Sequence, residues 1–288
     1  MRKRLVFDER NRENDIQRVA NKNYLYYNME EWRGYPAHPF CFLMGGYSMK
    51  KKLLAAALGA AMGLGMYAAP ADAHGVFFAN RVDTKALVLG EGPLDNAYDP
   101  ACVQRIDAYD VNFQPTTVER VDGEKNVMIV PGDDLGVTAT FFDYGYFAKT
   151  TDGKVIPTRD YSNIENLVSV TYAYKYNVHY WSPSVTPAGL YNVPIQIVPA
   201  VNPLTLRRGD TLRLRIYKDG QPYANAPVIA DVLGDLTTET QADANGYVNV
   251  RVANNGLNVI GVEVGFPTDD ANVTKKIFSS LSFIIPAE

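Results

Sequence analysis

The sequence from His74 onward consists of short runs in which apolar and polar residues alternate, with no sustained helical period. In residues 212–218, for example, leucine and isoleucine alternate with arginine and tyrosine. Alternation of this kind places apolar side chains on one face of a β-strand. Glycine, proline, asparagine and aspartate separate the runs, which is typical of sandwiches and barrels. We therefore predict an all-β fold.

Eight such runs are the predicted strands: 126–130, 137–147, 167–181, 212–218, 228–232, 247–252, 259–266 and 277–285. Between the third and fourth runs, residues 194–203 contain three prolines. Such a segment suits an extended connector better than a central strand. We therefore predict two tandem β-sandwich domains, residues 74–198 and residues 199–288, each long enough for a small sandwich.

Residues 49–73 have the three parts of a secretory signal peptide. Lys50, Lys51 and Lys52 precede an apolar stretch from Leu53 to Met66, and residues 71–73 read Ala-Asp-Ala. The apolar stretch is shorter than the roughly 20 residues that span a membrane. Cleavage after Ala73 is therefore the prediction, with His74 as the new N-terminus and the periplasm as the destination.

Residues 1–48 precede that signal peptide and show no apolar periodicity. Gly45-Gly46 can be encoded by a ribosome-binding sequence at a workable distance from the Met49 codon. We interpret residues 1–48 as a leader that results from a start codon assigned too early, and we exclude it from the fold prediction.

The exported part is acidic. The whole chain has a net charge of −4, but residues 1–73 hold 11 of its 28 Lys and Arg and 7 of its 32 Asp and Glu, which leaves about −8 for the rest. Nucleic-acid binders carry a basic face, so nucleic acid is not an expected partner. Cys102 is the one cysteine after residue 73, so the exported part cannot form an internal disulfide.

Two histidines, His74 and His179, remain after cleavage. An N-terminal histidine can chelate a metal ion through its α-amine and Nδ1, and a second imidazole completes a three-nitrogen site that suits Cu²⁺ or Ni²⁺. In residues 168–181, alternation places His179 on the more polar strand face, near the strand end, where a ligand can reach it. We therefore predict His74 and His179 as metal ligands. The alternative is that both are ordinary solvated side chains.

The second half carries motifs that are recognisable together: Ile195-Gln196-Ile197-Val198-Pro199, Asn202-Pro203, Leu206-Arg207-Arg208-Gly209-Asp210-Thr211-Leu212, Asp219-Gly220-Gln221-Pro222 with Ala226-Pro227-Val228, and Ala242-Asp243-Ala244-Asn245-Gly246. With them, the chain resembles the periplasmic domain-of-unknown-function 4198 family, often described as nickel-transport NikM-like. The resemblance implies immunoglobulin-like or transthyretin-like sandwiches, the second of transthyretin or carboxypeptidase-regulatory type. It also implies the handling of nickel, cobalt or copper, as an ion or a complex, for uptake with a membrane transporter.

An alternative function without metal is based on the tyrosines. Tyr172, Tyr174, Tyr176 and Tyr180 share one predicted strand face and are candidates for a platform that binds carbohydrate or another surface. Catalytic motifs such as Gly-x-Ser-x-Gly, His-Glu-x-x-His and Cys-x-x-Cys do not occur. We therefore expect a non-enzymatic binding protein, and an oxidative copper enzyme built on His74 is the least favoured alternative.

Overall fold

A computed structural model describes residues 74–190 and 192–286, and the predicted leader and signal peptide lie outside the described residues. The regular structure in the described ranges is almost entirely β, which confirms the predicted all-β class. Two 3-10 turns, Pro100–Cys102 and Pro203–Thr205, complete it. No helix in this part of the chain has the length and apolar character that a membrane crossing requires.

The N-terminal sheet has four antiparallel strands in the order β1-β2-β6-β5. Its strands are β1 (Gly75–Arg81), β2 (Thr84–Gly90), β5 (Glu119–Asp122) and β6 (Val127–Val130). The first two form a hairpin in which the buried residues lie on both faces of β1.

The central sheet has nine strands in the order β14-β13-β16-β17-β9-β7-β3-β4, with β8 paired to β7. Its strands are β3 (Val103–Tyr109), β4 (Pro115–Thr116), β7 (Val137–Thr150), β8 (Val155–Thr158), β9 (Leu167–Tyr180), β13 (Pro227–Asp231), β14 (Asp235–Gln241), β16 (Leu257–Pro267) and β17 (Val273–Ile284). At its middle, β9 and β17 run parallel from the pair Val170–Val273 to the pair Tyr180–Phe283.

The C-terminal sheet is built around β11, which pairs with all three of its other strands. Its strands are β10 (Ile195–Pro199), β11 (Thr211–Lys218), β12 (Gln221–Pro222) and β15 (Tyr247–Arg251). The proline-rich connector predicted from sequence therefore contains β10. This strand lies at the edge of its sheet, where a proline without an N–H donor is tolerated.

Consecutive residues of the central sheet pack against different layers. Val228 and Ile277 belong to the core shared with the C-terminal sheet, whereas Ile229 and Phe278 belong to the core shared with β1 and β2. Because strand side chains alternate between faces, the N-terminal and C-terminal sheets cover opposite faces of the central sheet. The result is three layers with the central sheet in the middle.

The predicted domain boundary between residues 198 and 199 falls inside β10. Both predicted domains contribute strands to the central sheet, because β9 lies before that boundary and β17 after it. All the described residues belong to one compact unit.

Candidate functional site

A buried polar row occupies the face of the central sheet that β1 covers. On β9 it contains Lys175, Asn177 and His179, and on β17 it contains Ser280 and Ser282, all of them 1% exposed or less. Alternation along each strand places these side chains together. Since buried polar groups are costly without partners, their hydrogen bonds show what the row does.

Ser282 connects the row. Nδ2 of Asn177 donates to Oγ of Ser282 over 2.8 Å, and that same oxygen lies 2.8 Å from Nδ1 of His179. The imidazole also packs against Trp181, with 4.2 Å between ring centroids, and against Phe78, at 5.8 Å. Burial, with a smaller contribution from Lys85, lowers the pKa of His179 from 6.5 to about 3. His179 is therefore a neutral imidazole at pH 7.

The predicted strand face of His179 is confirmed, but the expectation that a ligand can reach it there is wrong. The side chain is 1% exposed, because Phe78 of β1 and Trp181 lie over the ring. The covering strand is about a hundred residues away in sequence. Alternation within β9 therefore predicted the face on which His179 lies, but it could not predict that β1 covers this face.

His74 lies immediately before β1 and is 9% exposed. The direction of β1 is fixed by two contacts: Gly75 abuts Phe278, and the carbonyl of Val76 accepts a 2.6 Å hydrogen bond from Ser280 Oγ. The strand therefore proceeds toward Ser282, the register partner of His179. Phe78 is four positions after His74, which corresponds to roughly 13 Å along a strand.

The structure thus places both predicted ligands beside β1, at different positions along it. A metal chelated by the amine and Nδ1 of His74 lies next to that residue, so sharing it with His179 requires β1 to move along the central sheet. Among the described residues, no three His, Cys, Asp or Glu side chains form a group that could hold a metal ion. Metal binding by His74 and His179 stays a prediction.

The other face of the central sheet carries an aromatic row, formed by Phe141 and Tyr146 of β7, Tyr161, and Tyr172, Tyr174 and Tyr176 of β9. Each side chain is partly exposed. Neighbouring ring centroids lie 4.2 Å apart for Tyr146 and Tyr172, and 4.1 Å apart for Tyr172 and Tyr174. Phe141 then stacks on Tyr176 at 5.0 Å, with an interplanar angle of 15°.

Charged groups flank the aromatic row. The guanidinium of Arg105 lies 6.0 Å from the ring centroid of Phe141, and the ammonium of Lys275 lies 4.6 Å from that of Tyr174. Asp143 accepts a hydrogen bond from the hydroxyl of Tyr172 over 3.2 Å and pairs with Arg159 at 3.1 Å. Burial raises the pKa of Tyr172, so its hydroxyl stays protonated at neutral pH and donates to Asp143.

Of the four tyrosines predicted as a platform, Tyr172, Tyr174 and Tyr176 lie in the row, and Tyr180 does not. Tyr180 is 2% exposed and belongs to the core under the C-terminal sheet.

Sequence reasoning missed Phe141, Tyr146 and Tyr161. A β-bulge between Asp143 and Gly145 shifts the register of β7, which brings Phe141 and Tyr146 to the same face despite their odd spacing.

Cys102 is a candidate soft metal ligand by residue type, since a thiolate binds metal ions, and the residue is 7% exposed. The guanidinium of Arg159 donates to its sulfur over 3.0 Å. Burial raises the pKa of the thiol, which outweighs the opposing effect of Arg159. Cys102 is therefore protonated at neutral pH and packs as a core residue.

No curated protein and no solved structure matches the chain. A family model matches residues 108–265, more than half of the sequence, and its description is Domain of unknown function (DUF4198). The matched range runs from the end of β3 into β16, so it includes β7, β9 and the C-terminal sheet. The chain therefore belongs to the DUF4198 family.

Proposed function

We propose that the protein is an exported, non-enzymatic binding protein whose aromatic row contacts a carbohydrate chain. The observation that carries the proposal is the continuity of six partly exposed aromatic rings flanked by charged side chains. Sugars have apolar C–H faces and polar hydroxyls, and tyrosines offer an apolar ring with a polar tip. The row provides both kinds of contact on one surface.

The length and shape of the aromatic row indicate an oligosaccharide as the ligand. Tyr172 and Tyr176 are four residues apart on β9, which corresponds to roughly 13 Å. Because Tyr146 and Tyr172 stack on each other, they present ring edges and hydroxyls to a ligand. Donors for sugar hydroxyls come from Arg105 and Lys275, and Asp143 supplies an acceptor. A chain of linked sugars that lies along β9 meets all of these groups.

Calorimetric titration with cellohexaose, chitohexaose and xylohexaose tests this proposal. At least one hexasaccharide is expected to bind, and Tyr174→Ala is expected to weaken that binding at least ~10-fold, since stacked aromatic side chains dominate such surfaces. Tyr217→Ala is the matched control, because Tyr217 is a partly exposed tyrosine of the C-terminal sheet. An absence of binding by all three sugars, or equal effects of the two variants, would contradict the proposal.

A second candidate function is the predicted handling of nickel, cobalt or copper for uptake in the periplasm, with a membrane transporter as partner. One observation favours it: burial keeps the imidazole of His179 uncharged, which is the form that ligates metal. In this proposal, the α-amine and Nδ1 of His74 hold the ion, and His179 joins them when β1 shifts.

This candidate is tested on exported protein by titration with Cu²⁺ and Ni²⁺. One alanine inserted before His74 displaces the α-amine from the chelate ring and is expected to weaken binding at least ~10-fold. His179→Ala is expected to weaken it by a similar factor when both histidines share the ion. Equal affinity of the parent and both variants would rule the site out, without any consequence for the carbohydrate proposal.

A further inference from the structure

The exposed side of the C-terminal sheet contains a cleft of about 430 Å³, which we call the Arg213 cleft. It lies between the end of β14 and the strands β11 and β15. Its walls are formed by Arg213, Thr240, Gln241, Asp243, Tyr247 and Asn249, together with Val248. This volume is in the range of small-molecule sites. None of its lining residues belongs to the aromatic row or to the buried polar row.

Arg213 is held in place by an aromatic ring. Its guanidinium carbon lies 4.2 Å from the ring centroid of Tyr247, and that of Arg215 lies 4.7 Å from the same centroid. Within the described ranges, Arg213 takes part in no ion pair. Stacking uses the face of a guanidinium and leaves its in-plane N–H groups for a carboxylate, which they bind in a bidentate manner.

The charge of the cleft indicates a monoanion. Asp243 accepts backbone hydrogen bonds from Asn245 and Tyr247, which lower the pKa of its carboxyl, so it is ionised. Arg213 and Arg215 both act electrostatically on Asp243. Arg213 and Asp243 line the cleft, and Arg215 borders it through its contact with the Tyr247 ring, so the cleft and its border carry two positive charges and one negative charge, a net charge of +1. A single carboxylate matches this balance, whereas a dianionic phosphate meets repulsion from Asp243.

The remaining walls are neutral and polar. Gln241 and Asn249 are exposed amides that both donate and accept hydrogen bonds, and Thr240 adds a hydroxyl. Groups of this kind suit a ligand that carries several hydroxyls beside its carboxylate. We propose that the Arg213 cleft binds a small hydroxylated monocarboxylate of the sugar-acid class. This inference is independent of the carbohydrate function proposed for the aromatic row.

The test is titration of the full chain with D-galacturonate and with D-galactose, which lacks the carboxylate. Galacturonate is expected to bind at millimolar concentrations or below, and galactose at least ~10-fold more weakly. Arg213→Gln is expected to weaken galacturonate binding at least ~10-fold. The control variant Arg208→Ala removes an exposed arginine that does not line the cleft, and it is expected to leave affinity unchanged.

Three results would overturn the inference: no galacturonate binding by the parent up to about 10 mM, equal binding of galactose, or an Arg213→Gln variant that binds as the parent does. If Arg213→Gln does not fold, as judged by circular dichroism, Asn249→Ala replaces it. Asn249 is exposed and lines the cleft, so its loss is expected to weaken binding several-fold without affecting the core. Unchanged affinity in Asn249→Ala would likewise contradict the site.

Discussion

Phe278 lies directly against the backbone of Gly75, on the face of β17 that the N-terminal sheet covers. A Cβ atom added to Gly75 would lie 2.9 Å from Cε1 of Phe278, and one added to Gly261 would lie 2.7 Å from its Cζ. The Phe278 side chain is 1% exposed. The absence of two side chains thus makes room for one aromatic ring, and this contact holds β1 in its observed position, from which the metal proposal requires it to shift.

Gly75→Ala is therefore expected to lower the free energy of unfolding by about 1–3 kcal/mol, the usual cost of overpacking a core. Urea denaturation measures this change. Leucine is smaller than phenylalanine and relieves the overlap. Gly75→Ala should therefore cost less unfolding free energy in a Phe278→Leu background than in the parent. Asp83→Ala, in the exposed β1–β2 turn, is the control. If Gly75→Ala is as stable as the parent, β1 does not occupy this position.

Strands β1 and β11 show how burial affects a prediction from alternation. Residues 75–79 of β1 are buried at every position, so the segment Gly-Val-Phe-Phe-Ala has no alternation to detect. In β11, by contrast, Leu212, Leu214 and Ile216 are buried and the residues between them face outward. Alternation therefore predicted β11. The other predicted runs coincide with β6, β7, β9, β13, β15, β16 and β17, although residues 258–262 of β16 and 277–283 of β17 are buried at every position.

In the candidate sites, too, the sequence predicted what depends on spacing within one strand and missed what depends on other parts of the fold. Tyr172, Tyr174 and Tyr176 share a strand face at a spacing of two residues, which sequence alone indicates. Their neighbours Phe141 and Tyr146 are aligned by a bulge at Gly145, and this glycine inside the predicted strand was the one signal that could have indicated it. Similarly, the burial of His179 depends on Phe78, whose position follows from the packing of β1 against β9 and β17 and not from any local pattern.

Removal of the Ser282 hydroxyl should disrupt the buried polar row. In Ser282→Ala, His179 Nδ1 and one Asn177 N–H lose their 2.8 Å partner in a site without solvent access. We expect a loss of about 1–3 kcal/mol in unfolding free energy, the cost of leaving buried polar groups unsatisfied. Ser184→Ala, at an exposed position, should stay within about 0.5 kcal/mol of the parent. Equal stability of both variants would mean that this network contributes nothing.

Export can be tested directly. Protein recovered from the periplasm should begin with the sequence His-Gly-Val-Phe, because residues 71–73 fit the pattern that signal peptidase cleaves. N-terminal sequencing or intact mass measurement gives the answer. Replacement of Ala73 by a bulky residue such as Phe should block processing and leave a longer product. A mature protein that starts at Met1 and stays in the cytoplasm would contradict both the compartment and the proposed role of the His74 amine.

The central sheet leads to an expectation about the two predicted domains. A fragment of residues 204–288 retains β17 but lacks β9, its parallel partner from Val170 to Tyr180. It also lacks Tyr180, Ile195 and Ile197 from the core under the C-terminal sheet. We expect this fragment to lose the cooperative unfolding transition of the whole protein and to associate through the exposed edge of β17. A monomeric fragment with a cooperative transition would establish the second half as a separate domain.

Acid should destabilise the folded protein through His179. His179 has a pKa of about 3 in the folded protein and 6.5 as its ordinary value, so between these pH values the unfolded chain binds a proton that the folded protein excludes. Stability from this group is complete above pH 6.5 and declines as the pH falls, by about 2 kcal/mol at pH 5. Urea denaturation at pH 8 and pH 5 measures the loss in the parent and in His179→Gln, whose side chain does not titrate. Other titrating groups affect both proteins alike, so the variant should lose about 2 kcal/mol less than the parent over this interval. Parallel losses in the two proteins would show that the His179 imidazole takes up protons in the folded state, which is incompatible with its burial beneath β1.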